Sequence, residues 1–260
     1  MDVPALLAWY ERVRRPLPWR STRDPYALLV SEVMLQQTQA ARVVPYYERW
    51  LGLFPDVEAL AGASSRDVLA AWSGLGYNRR ALALQRAAAV VASSGWPADL
   101  TALPGVGPYT AAAVASFAWD RQVAAVDTNV RRVLTRRDGV VRSARALAAR
   151  AQELLPPGRA ATFNQAMMEL GATVCRPRAP RCGECPVATG CVGPAADPPP
   201  RRGARERFED TDRWARGRVL AALLEGTVPP VTGSRLERAL AGLERDGLIV
   251  RGPDGAPQLP

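Results

Sequence analysis

Helical spacing of apolar residues runs through residues 1–192, and no convincing strand alternation interrupts it. Asp24-Pro25 supplies the N-cap and the first-turn proline with which helices commonly begin. We therefore expect a mainly α fold for this part of the chain. The spacing predicts helices over 2–14, 25–37, 40–54, 65–72, 78–94, 128–137, 144–154 and 159–174.

The last part of the chain carries a different pattern. Residues 193–210 are rich in Pro, Ala and Arg, which is typical of a linker. After it we expect a helix from Asp212 to Leu224, a second from Ser234 to Arg245 and a small β-hairpin over 248–259. This order suggests a winged-helix-like module over 211–260, which either binds DNA or packs on the main domain.

The charge of the chain favours a polyanionic partner. Its 260 residues carry a formal net charge of +9, and because lysine is absent all 34 basic residues are arginine. Nucleic acid is expected ahead of a membrane surface, since no apolar run approaches the roughly 18 residues of a membrane span. We expect a soluble, cytoplasmic protein of bacterial type, associated with the nucleoid.

The chain contains neither histidine nor lysine, which limits the side chains that could act as acids, bases or nucleophiles. Proton transfer near neutral pH therefore falls to carboxylates, tyrosines or cysteines, and no side chain can form a Schiff base. Arginine cannot replace lysine in that reaction, since it stays protonated.

Glu32 is a candidate general acid. It is the only charged residue in the predicted helix 25–37, and its neighbours are mostly apolar. A carboxyl held against an apolar surface has a raised pKa, which suits a proton donor, although most helix glutamates are simply solvated. Gln36 shares a helix face with Glu32, and with Gln37 and Gln39 it forms an uncharged polar group that can hydrogen-bond bases.

The stretch from Leu103 to Asn129 combines a tight turn with a single acid. Gly105 and Gly107 flank one residue ahead of an Ala-rich run that indicates a helix, and the backbone N–H groups of such a turn can point at a phosphate. Asp127 follows at the predicted N-cap of the next helix. Most such residues are ordinary caps worth about 1 kcal/mol, but a helix N-terminus also keeps a carboxylate ionised, so that it can stabilise a developing cation.

All four cysteines lie in one short run, with intervening spacings of six, two and five residues. In an intracellular protein this clustering indicates a metal site rather than disulfides. Zinc usually takes two short Cys pairs, and this run has one, whereas four thiolates also suit a [4Fe-4S] cluster. The predicted metal ligands are Cys175, Cys182, Cys185 and Cys191.

A glycine-rich corner, Ser73-Gly74-Leu75-Gly76-Tyr77, separates two of the predicted helices and carries an aromatic side chain. Tyr77 either covers the hydrophobic core, as most such tyrosines do, or inserts into a base stack. The residues themselves leave both interpretations open.

Five motifs and the cysteine run occur in a consistent order between about residues 5 and 192. Together they resemble the helix-hairpin-helix DNA glycosylases and, within them, the adenine DNA glycosylase (MutY) family. The resemblance implies a two-lobed helix-hairpin-helix glycosylase fold with a DNA-binding cleft, in a domain 1–192 that contains a four-Cys Fe-S loop at 175–191. The motifs are LPWR at 17–20, SEVMLQQTQ at 31–39, GLGY at 74–77, LPGVG at 103–107 and FNQAMMELG at 163–171.

The resemblance also implies an activity, namely base excision repair in which adenine mispaired with 8-oxoguanine or guanine in double-stranded DNA is removed by hydrolysis of its N-glycosidic bond. Glu32 would protonate the leaving adenine, and Asp127 would stabilise the oxocarbenium-like sugar. Tyr109 and Asn129 would line the site, and a [4Fe-4S] cluster would bind the four cysteines. The residues implied to contact DNA are Arg20, Gln36, Gln37, Thr38, Tyr77, Gly105, Val106 and Gly107.

Tyr109 separates this chain from the related endonuclease III enzymes, which carry a Schiff-base lysine at this position of the hairpin. With no lysine anywhere, a monofunctional glycosylase is expected, acting as a monomer.

The alternatives are a thymine or uracil mismatch glycosylase of the same superfamily and a non-catalytic Fe-S DNA-binding regulator. Only 69 residues follow Cys191 (260 minus 191), too few for the Nudix-like domain with which better-known relatives read 8-oxoguanine.

Overall fold

The structure, a computed structural model, describes residues 1–197 and 206–260, and it is mainly helical, as predicted. Within these residues the strands are β1 (Val250–Arg251) and β2 (Pro257–Gln258), and no helix is long and apolar enough to cross a membrane. The helices are α1 (Val3–Val13), α2 (Pro25–Leu35), α3 (Ala40–Leu53), α4 (Val57–Gly62), α5 (Ser65–Trp72), α6 (Arg79–Ser94), α7 (Pro108–Trp119), α8 (Thr128–Asp138), α9 (Ala144–Glu153), α10 (Ala160–Thr173), α11 (Asp212–Glu225) and α12 (Gly233–Arg245).

The chain divides into two compact units, and the first comprises Met1–Glu32 and Val106–Arg201. Helix α10 is at its centre, because it packs against α1, α7 and α8. Burial of this apolar surface is the main term that stabilises such a helical unit. Its most deeply buried side chains include Leu6, Tyr10, Leu134, Phe163, Met167 and Leu170.

The second unit comprises Val33–Gly105 and Arg202–Pro260. Helix α6 packs against α4 and α5, and α11 packs against α12 and α5. Trp50 forms the aromatic centre, with its ring edge-to-face at 5.4 Å from Trp72 and 4.9 Å from Phe54. The C-terminal segment is thus part of the second unit's packing.

The helix ends follow the capping residues in the sequence. Asp2 accepts a 2.9 Å hydrogen bond from the Ala5 N–H at the start of α1, and Gly139 ends α8 in the left-handed conformation with φ of 72°. Such caps satisfy backbone groups that the first and last helical turns leave without partners. They explain why the predicted helices begin and end within two residues of those observed.

Two differences from the predicted helices have local causes. Helix α4 has only six residues, too few to show a helical period in the sequence, and it is started by the Asp56 cap. Helix α2 ends at Leu35 rather than at Gln37, because Gln37 has φ of 60° and cannot continue a right-handed helix.

The C-terminal segment contains the two helices and the hairpin that its sequence predicted. The strands are antiparallel, with Val250 opposite Gln258. In the predicted linker 193–210, short 3-10 turns occur at Pro194–Ala196 and Phe208–Asp210, and the part of it from 198 to 205 lies outside the described residues. The division into domains at 1–192 and 211–260 stays a prediction.

Candidate active site

Glu32 lies near the end of α2 and is only 5% exposed. Burial is the main reason that the pKa of its carboxyl rises to about 7; a hydrogen bond with Tyr109 opposes this rise and the charge of Asp127 adds to it. At neutral pH the carboxyl is therefore protonated about half the time, which is the condition in which a general acid works best.

Tyr109 is the second residue of α7 and directly faces this carboxyl. Its hydroxyl hydrogen-bonds Glu32 and lies 3.9 Å from the sulfur of Met168. Burial, followed by the charges of Glu32 and Asp127, raises the pKa of Tyr109 well above its ordinary value. The hydroxyl therefore stays protonated and serves as a hydrogen-bond donor, not as a base.

Asp127 caps α8, as the sequence predicted. Its carboxylate accepts hydrogen bonds from the Val130 N–H at 2.7 Å and from the Asn129 amide at 2.6 Å. Burial raises the pKa of Asp127, while these hydrogen bonds and the positive charge of Arg132 oppose the rise. The carboxylate is fixed in orientation by two donors, and its charge is favoured by the helix N-terminus.

Asn129 is itself held from two sides. Arg132 donates to its side-chain oxygen at 2.7 Å and to the Gly171 carbonyl at 2.8 Å. A Cβ at Gly171 would lie 2.5 Å from the Asn129 Cβ, so only glycine allows α10 to approach α8 this closely. The amide that positions Asp127 is thus itself positioned by a second helix.

Glu32, Tyr109, Asp127 and Asn129, the four predicted catalytic residues, are all in the first unit. Glu32 and Tyr109 share a hydrogen bond, Asp127 and Asn129 share another, and Asp127 influences the pKa of the first pair. The structure therefore brings together a half-protonated acid and an oriented carboxylate from separate parts of the sequence.

Most of the residues predicted to contact DNA belong to other parts of the structure. Gln36, Gln37, Thr38, Tyr77 and Gly105 belong to the second unit, whereas Val106, Gly107 and Arg20 belong to the first. Their contact with DNA stays a prediction.

The glycine turn has the conformation that its sequence requires. Gly105 has φ of 77°, and a Cβ there would lie 2.7 Å from the Cβ of Ala83. Gly107 caps α7 without a side chain, and its backbone is therefore open to an anion at the helix N-terminus.

Arg20 is placed differently from the other residues predicted to contact DNA. It donates to Glu169 at 2.6 Å with only 11% of its side chain exposed, so its charge is paired inside the protein.

Arg80, which the sequence predictions omitted, connects two segments that are predicted to contact DNA. Its guanidinium donates to the carbonyls of Val33 at 2.8 Å and Gln36 at the end of α2, and to the Gly76 carbonyl at 3.0 Å. It also lies 5.4 Å from the centre of the Tyr77 ring. One arginine therefore links the glutamine turn to the tyrosine corner, and its place at the start of α6 gave no sign of this.

The four cysteines lie around one another without forming a site for a single ion. Burial and the negative charges of Cys175, Cys191 and Cys182 raise the pKa of the Cys185 thiol. A backbone hydrogen bond with Val187 opposes this rise. Within residues 1–197 and 206–260, however, no three His, Cys, Asp or Glu side chains are arranged to hold one metal ion. Which metal or cluster these four cysteines would hold stays a prediction.

Comparison with known proteins identifies the family. Residues 30–157 match the family model described as HhH-GPD superfamily base excision DNA repair protein. The chain is 45% identical over 283 aligned residues to an adenine DNA glycosylase of Mycobacterium tuberculosis, an alignment that covers 98% of this chain and 92% of the relative. The chain belongs to the adenine DNA glycosylase family.

Solved structures agree with this family membership at the level of the fold. A thermostable thymine-DNA glycosylase aligns with a TM-score of 0.69 and 31% identity over 74% of this chain and 94% of the other. A trapped endonuclease III–DNA covalent intermediate aligns with a TM-score of 0.65 and 23% identity over 74% and 93%. The predicted endonuclease III-like glycosylase fold is thus confirmed, and the chain is an enzyme of the DNA glycosylase class.

Proposed function

We propose that this chain is a monofunctional DNA glycosylase that removes adenine mispaired with 8-oxoguanine or guanine. The observation that carries the proposal is the buried Glu32 carboxyl, whose pKa of about 7 leaves it able to donate a proton at neutral pH. Its closeness to Asp127 supplies the second carboxylate that hydrolysis of a glycosidic bond requires.

The two carboxylates have different tasks in this proposal. Glu32 donates its proton to a ring nitrogen of the extruded adenine, so that the base leaves as a neutral molecule. Asp127, oriented by Val130 and Asn129, stabilises the positive charge that develops on the sugar. Water then adds to the sugar carbon, and its proton passes to Glu32, which restores the starting state.

Strand cleavage through an imine is not part of the proposed activity. Such cleavage needs an amine nucleophile with a free electron pair, and the chain contains no lysine. Tyr109, with its raised pKa, is a poor nucleophile at neutral pH. Purified protein is expected to leave alkali-labile abasic sites and to produce strand breaks only after heating with base.

The target base is tested by single-turnover reactions on duplexes with A·8-oxoguanine, A·G, T·G and U·G pairs. Release from the two adenine pairs alone is expected, in line with the relative of known class that aligns along the whole chain. Release from T·G or U·G pairs instead would favour the thymine or uracil activity. No release from any duplex would leave the DNA-binding regulator as the better interpretation.

We further propose that the four cysteines bind a [4Fe-4S] cluster. Four thiolates and no histidine are the ligand set of such clusters, and the charges of the other three cysteines all act on the pKa of Cys185, which supports their lying close together. Cys175, Cys182, Cys185 and Cys191 would hold the cluster, which would cross-link the loop and carry its own charge. Iron and acid-labile sulfide in about a 4:4 ratio per chain are expected, whereas one zinc per chain would contradict the proposal.

The proposed partner is double-stranded DNA that contains a mismatched adenine, bound by a monomer. The net charge of +9 supports binding to a polyanion. Sedimentation of the protein alone and with one equivalent of duplex tests this stoichiometry, and a 2:1 complex would contradict it.

A further inference from the structure

Two segments of the second unit are bound by the same guanidinium group. One is the end of α2 with the turn after it, residues 33–38, which we call the glutamine turn. The other is the tyrosine corner, residues 74–77. Arg80, in the first turn of α6, donates hydrogen bonds to main-chain carbonyls in both segments. This side chain therefore connects two segments that are far apart in the sequence.

The carbonyls that Arg80 binds lie beside two unusual backbone conformations. Gln37 has φ of 60° and Tyr77 has φ of 49°, values that non-glycine residues adopt only when their surroundings impose them. Arg80 donates to the Gln36 carbonyl, and at 3.0 Å to the Gly76 carbonyl. These carbonyls belong to the peptide groups immediately before the two left-handed residues. One side chain thus fixes both peptide groups on which the directions of Gln37 and Tyr77 depend.

Capping of α2 explains only part of this arrangement. A cation near a helix C-terminus satisfies carbonyls that the last turn leaves without partners, and Arg80 donates to Val33 at 2.8 Å and to Met34 at 3.2 Å. A glycine at a helix end satisfies such carbonyls without placing a charge in low-dielectric surroundings. Burial here lowers the pKa of Arg80 to about 10, so the group is still charged at neutral pH. A helix cap does not account for the contacts with the tyrosine corner.

Arg80 is itself held between aromatic rings. Its guanidinium lies 5.2 Å from the centre of the Trp72 ring and 5.4 Å from that of Tyr77. The indole of Trp72, which is fully buried, donates at 3.0 Å to the same Gly76 carbonyl that Arg80 binds. A planar guanidinium can stack on rings and donate in several directions at once, whereas the compact ammonium of lysine cannot. The arrangement therefore requires arginine, and a positive charge alone would not reproduce it.

The side chains that follow the two fixed peptide groups are open to solvent. Tyr77 is 43% exposed, and Gln37 is exposed as well. Imposed backbone conformations are expected where a function over-determines them, and here they direct an amide and an aromatic ring outward rather than into the core. Groups that are ordered before a ligand arrives lose less entropy when they bind it.

We propose that Arg80 is a positioning residue for recognition of the mispair, because it holds the glutamine turn and the tyrosine corner in one fixed arrangement from which Gln37 and Tyr77 act on the DNA together. The inference deepens the proposed function and rests on it in taking a mispaired duplex as the ligand. Arg80 acts through the two segments and not by its own contact with DNA, since its nitrogen atoms already donate to carbonyls.

The first experiment measures hydrogen exchange of the free, full-length protein and compares Arg80→Lys with Arg42→Lys. Arg42, at the start of α3, donates to the Gly74 carbonyl and so provides a matched contact with the tyrosine corner. Both substitutions keep the positive charge. We expect Arg80→Lys to speed exchange about tenfold in peptides covering both segments, and Arg42→Lys to speed it in the tyrosine corner alone.

The second experiment measures discrimination with duplexes that carry non-hydrolysable 2′-fluoro-adenosine opposite 8-oxoguanine or opposite thymine. The ratio of the two dissociation constants removes contributions from phosphate contacts, which both duplexes share. This ratio should fall about tenfold for Arg80→Lys and less than twofold for Arg42→Lys. The rate of adenine release at saturating enzyme should fall less than about threefold for Arg80→Lys, whereas general damage to the fold would lower rate and ratio together.

A double variant shows whether Arg80 acts through the glutamine turn. If it does, adding Gln37→Ala to Arg80→Lys removes a side chain that is already misplaced, so the ratio should stay within about twofold of that of Arg80→Lys alone. Losses that multiply would mean that Arg80 contacts DNA independently, which would overturn the proposal. Thermal unfolding of each variant shows that the compared proteins are folded at the temperature of the measurements.

The proposal is also overturned if Arg80→Lys loosens only one segment, or if it loosens both and leaves the ratio unchanged. A fall of the saturated rate as large as that of the ratio would overturn it as well. A wild-type protein without preference for the mispaired duplex would contradict both this proposal and the proposed function. One that prefers the mispair and shows the Arg80 effects but releases no adenine would contradict only the proposed function.

Discussion

Two buried glutamates of the first unit, Glu32 and Glu169, have opposite acidities. Glu169 accepts from Arg15 at 2.7 Å and from Arg20 at 2.6 Å, and its side chain is fully buried. Burial raises its pKa, but the hydrogen bonds and charges of the two arginines outweigh that effect and lower it. Glu32 has no arginine partner among the described residues; burial, and to a smaller extent the charge of Asp127, raise its pKa to about 7, although a hydrogen bond with Tyr109 opposes the rise.

The comparison shows that burial raises the pKa of both carboxyls, and that only arginine partners reverse this rise. A carboxyl paired with two guanidinium groups stays ionised and fastens parts of the fold together. A buried carboxyl without a positive partner exchanges its proton near pH 7, as Glu32 does. The two glutamates therefore predict opposite outcomes when each is changed to glutamine.

The largest expected effect is on catalysis. Glu32→Gln removes the proton donor and should lower the single-turnover rate of adenine release by about 10²- to 10⁴-fold. Binding of mispaired duplex should change little, because the amide keeps the shape of the side chain. A rate within threefold of wild type, measured with saturating enzyme, would mean that Glu32 is not the acid.

Glu169→Gln should affect stability more than chemistry. The change leaves Arg20 without its counter-charge, and we expect the free energy of unfolding to fall by about 2–3 kcal/mol. This is less than for a fully buried pair, because the Arg15 side chain is 42% exposed. Urea unfolding of Glu169→Gln beside Glu32→Gln, which should be no less stable than wild type, checks the contrast. Equal losses would show that both carboxyls are structural.

The pH profile of base release should follow Glu32. Only its protonated form donates, so the rate should be level below pH 7 and fall about tenfold per unit at higher pH, as the carboxyl with a pKa of about 7 loses its proton. The Glu169→Gln variant should keep the same midpoint. A profile that is flat between pH 6 and 9 would contradict this assignment.

The smallest expected effect tests the hydroxyl beside Glu32. Tyr109→Phe removes a hydrogen bond that lowers the pKa of this carboxyl. The midpoint of the pH profile should therefore move upward, by about 0.5–1 unit. Asp127→Asn moves the midpoint the other way, because it removes a charge that raises the same pKa, and so provides an opposite control. A downward shift in Tyr109→Phe would mean that the hydroxyl stabilises the protonated form.

Much of the fold was predictable because helices are local. The spacing of apolar residues along a helix and its capping residues can both be recognised within a short stretch of sequence, as for Asp127 ahead of α8. The raised pKa of Glu32 was predictable for the same reason, since its apolar neighbours lie on its own helix. The contacts of Glu32 with Tyr109 and Asp127 come instead from distant parts of the chain.

What the sequence did not predict depends on contacts between distant segments. Nothing near Glu169 in the sequence indicates Arg15 and Arg20, which lie about 150 residues away along the chain. Arg80 resembles any arginine at the start of a helix, and its bonds to the end of α2 exist only in the folded unit. The pairing of Tyr77 with Arg213 has the same origin.

The contact between Gly171 and Asn129 sets the mechanical tolerance of the candidate site. Side chains that separate two helices can change rotamer and so let the helices shift, but here main-chain and Cβ atoms meet with no room for an added Cβ. The spacing of α8 and α10 is therefore set by atoms without rotational freedom. Asp127 caps the start of α8, and its position relative to α10 should therefore change little with temperature.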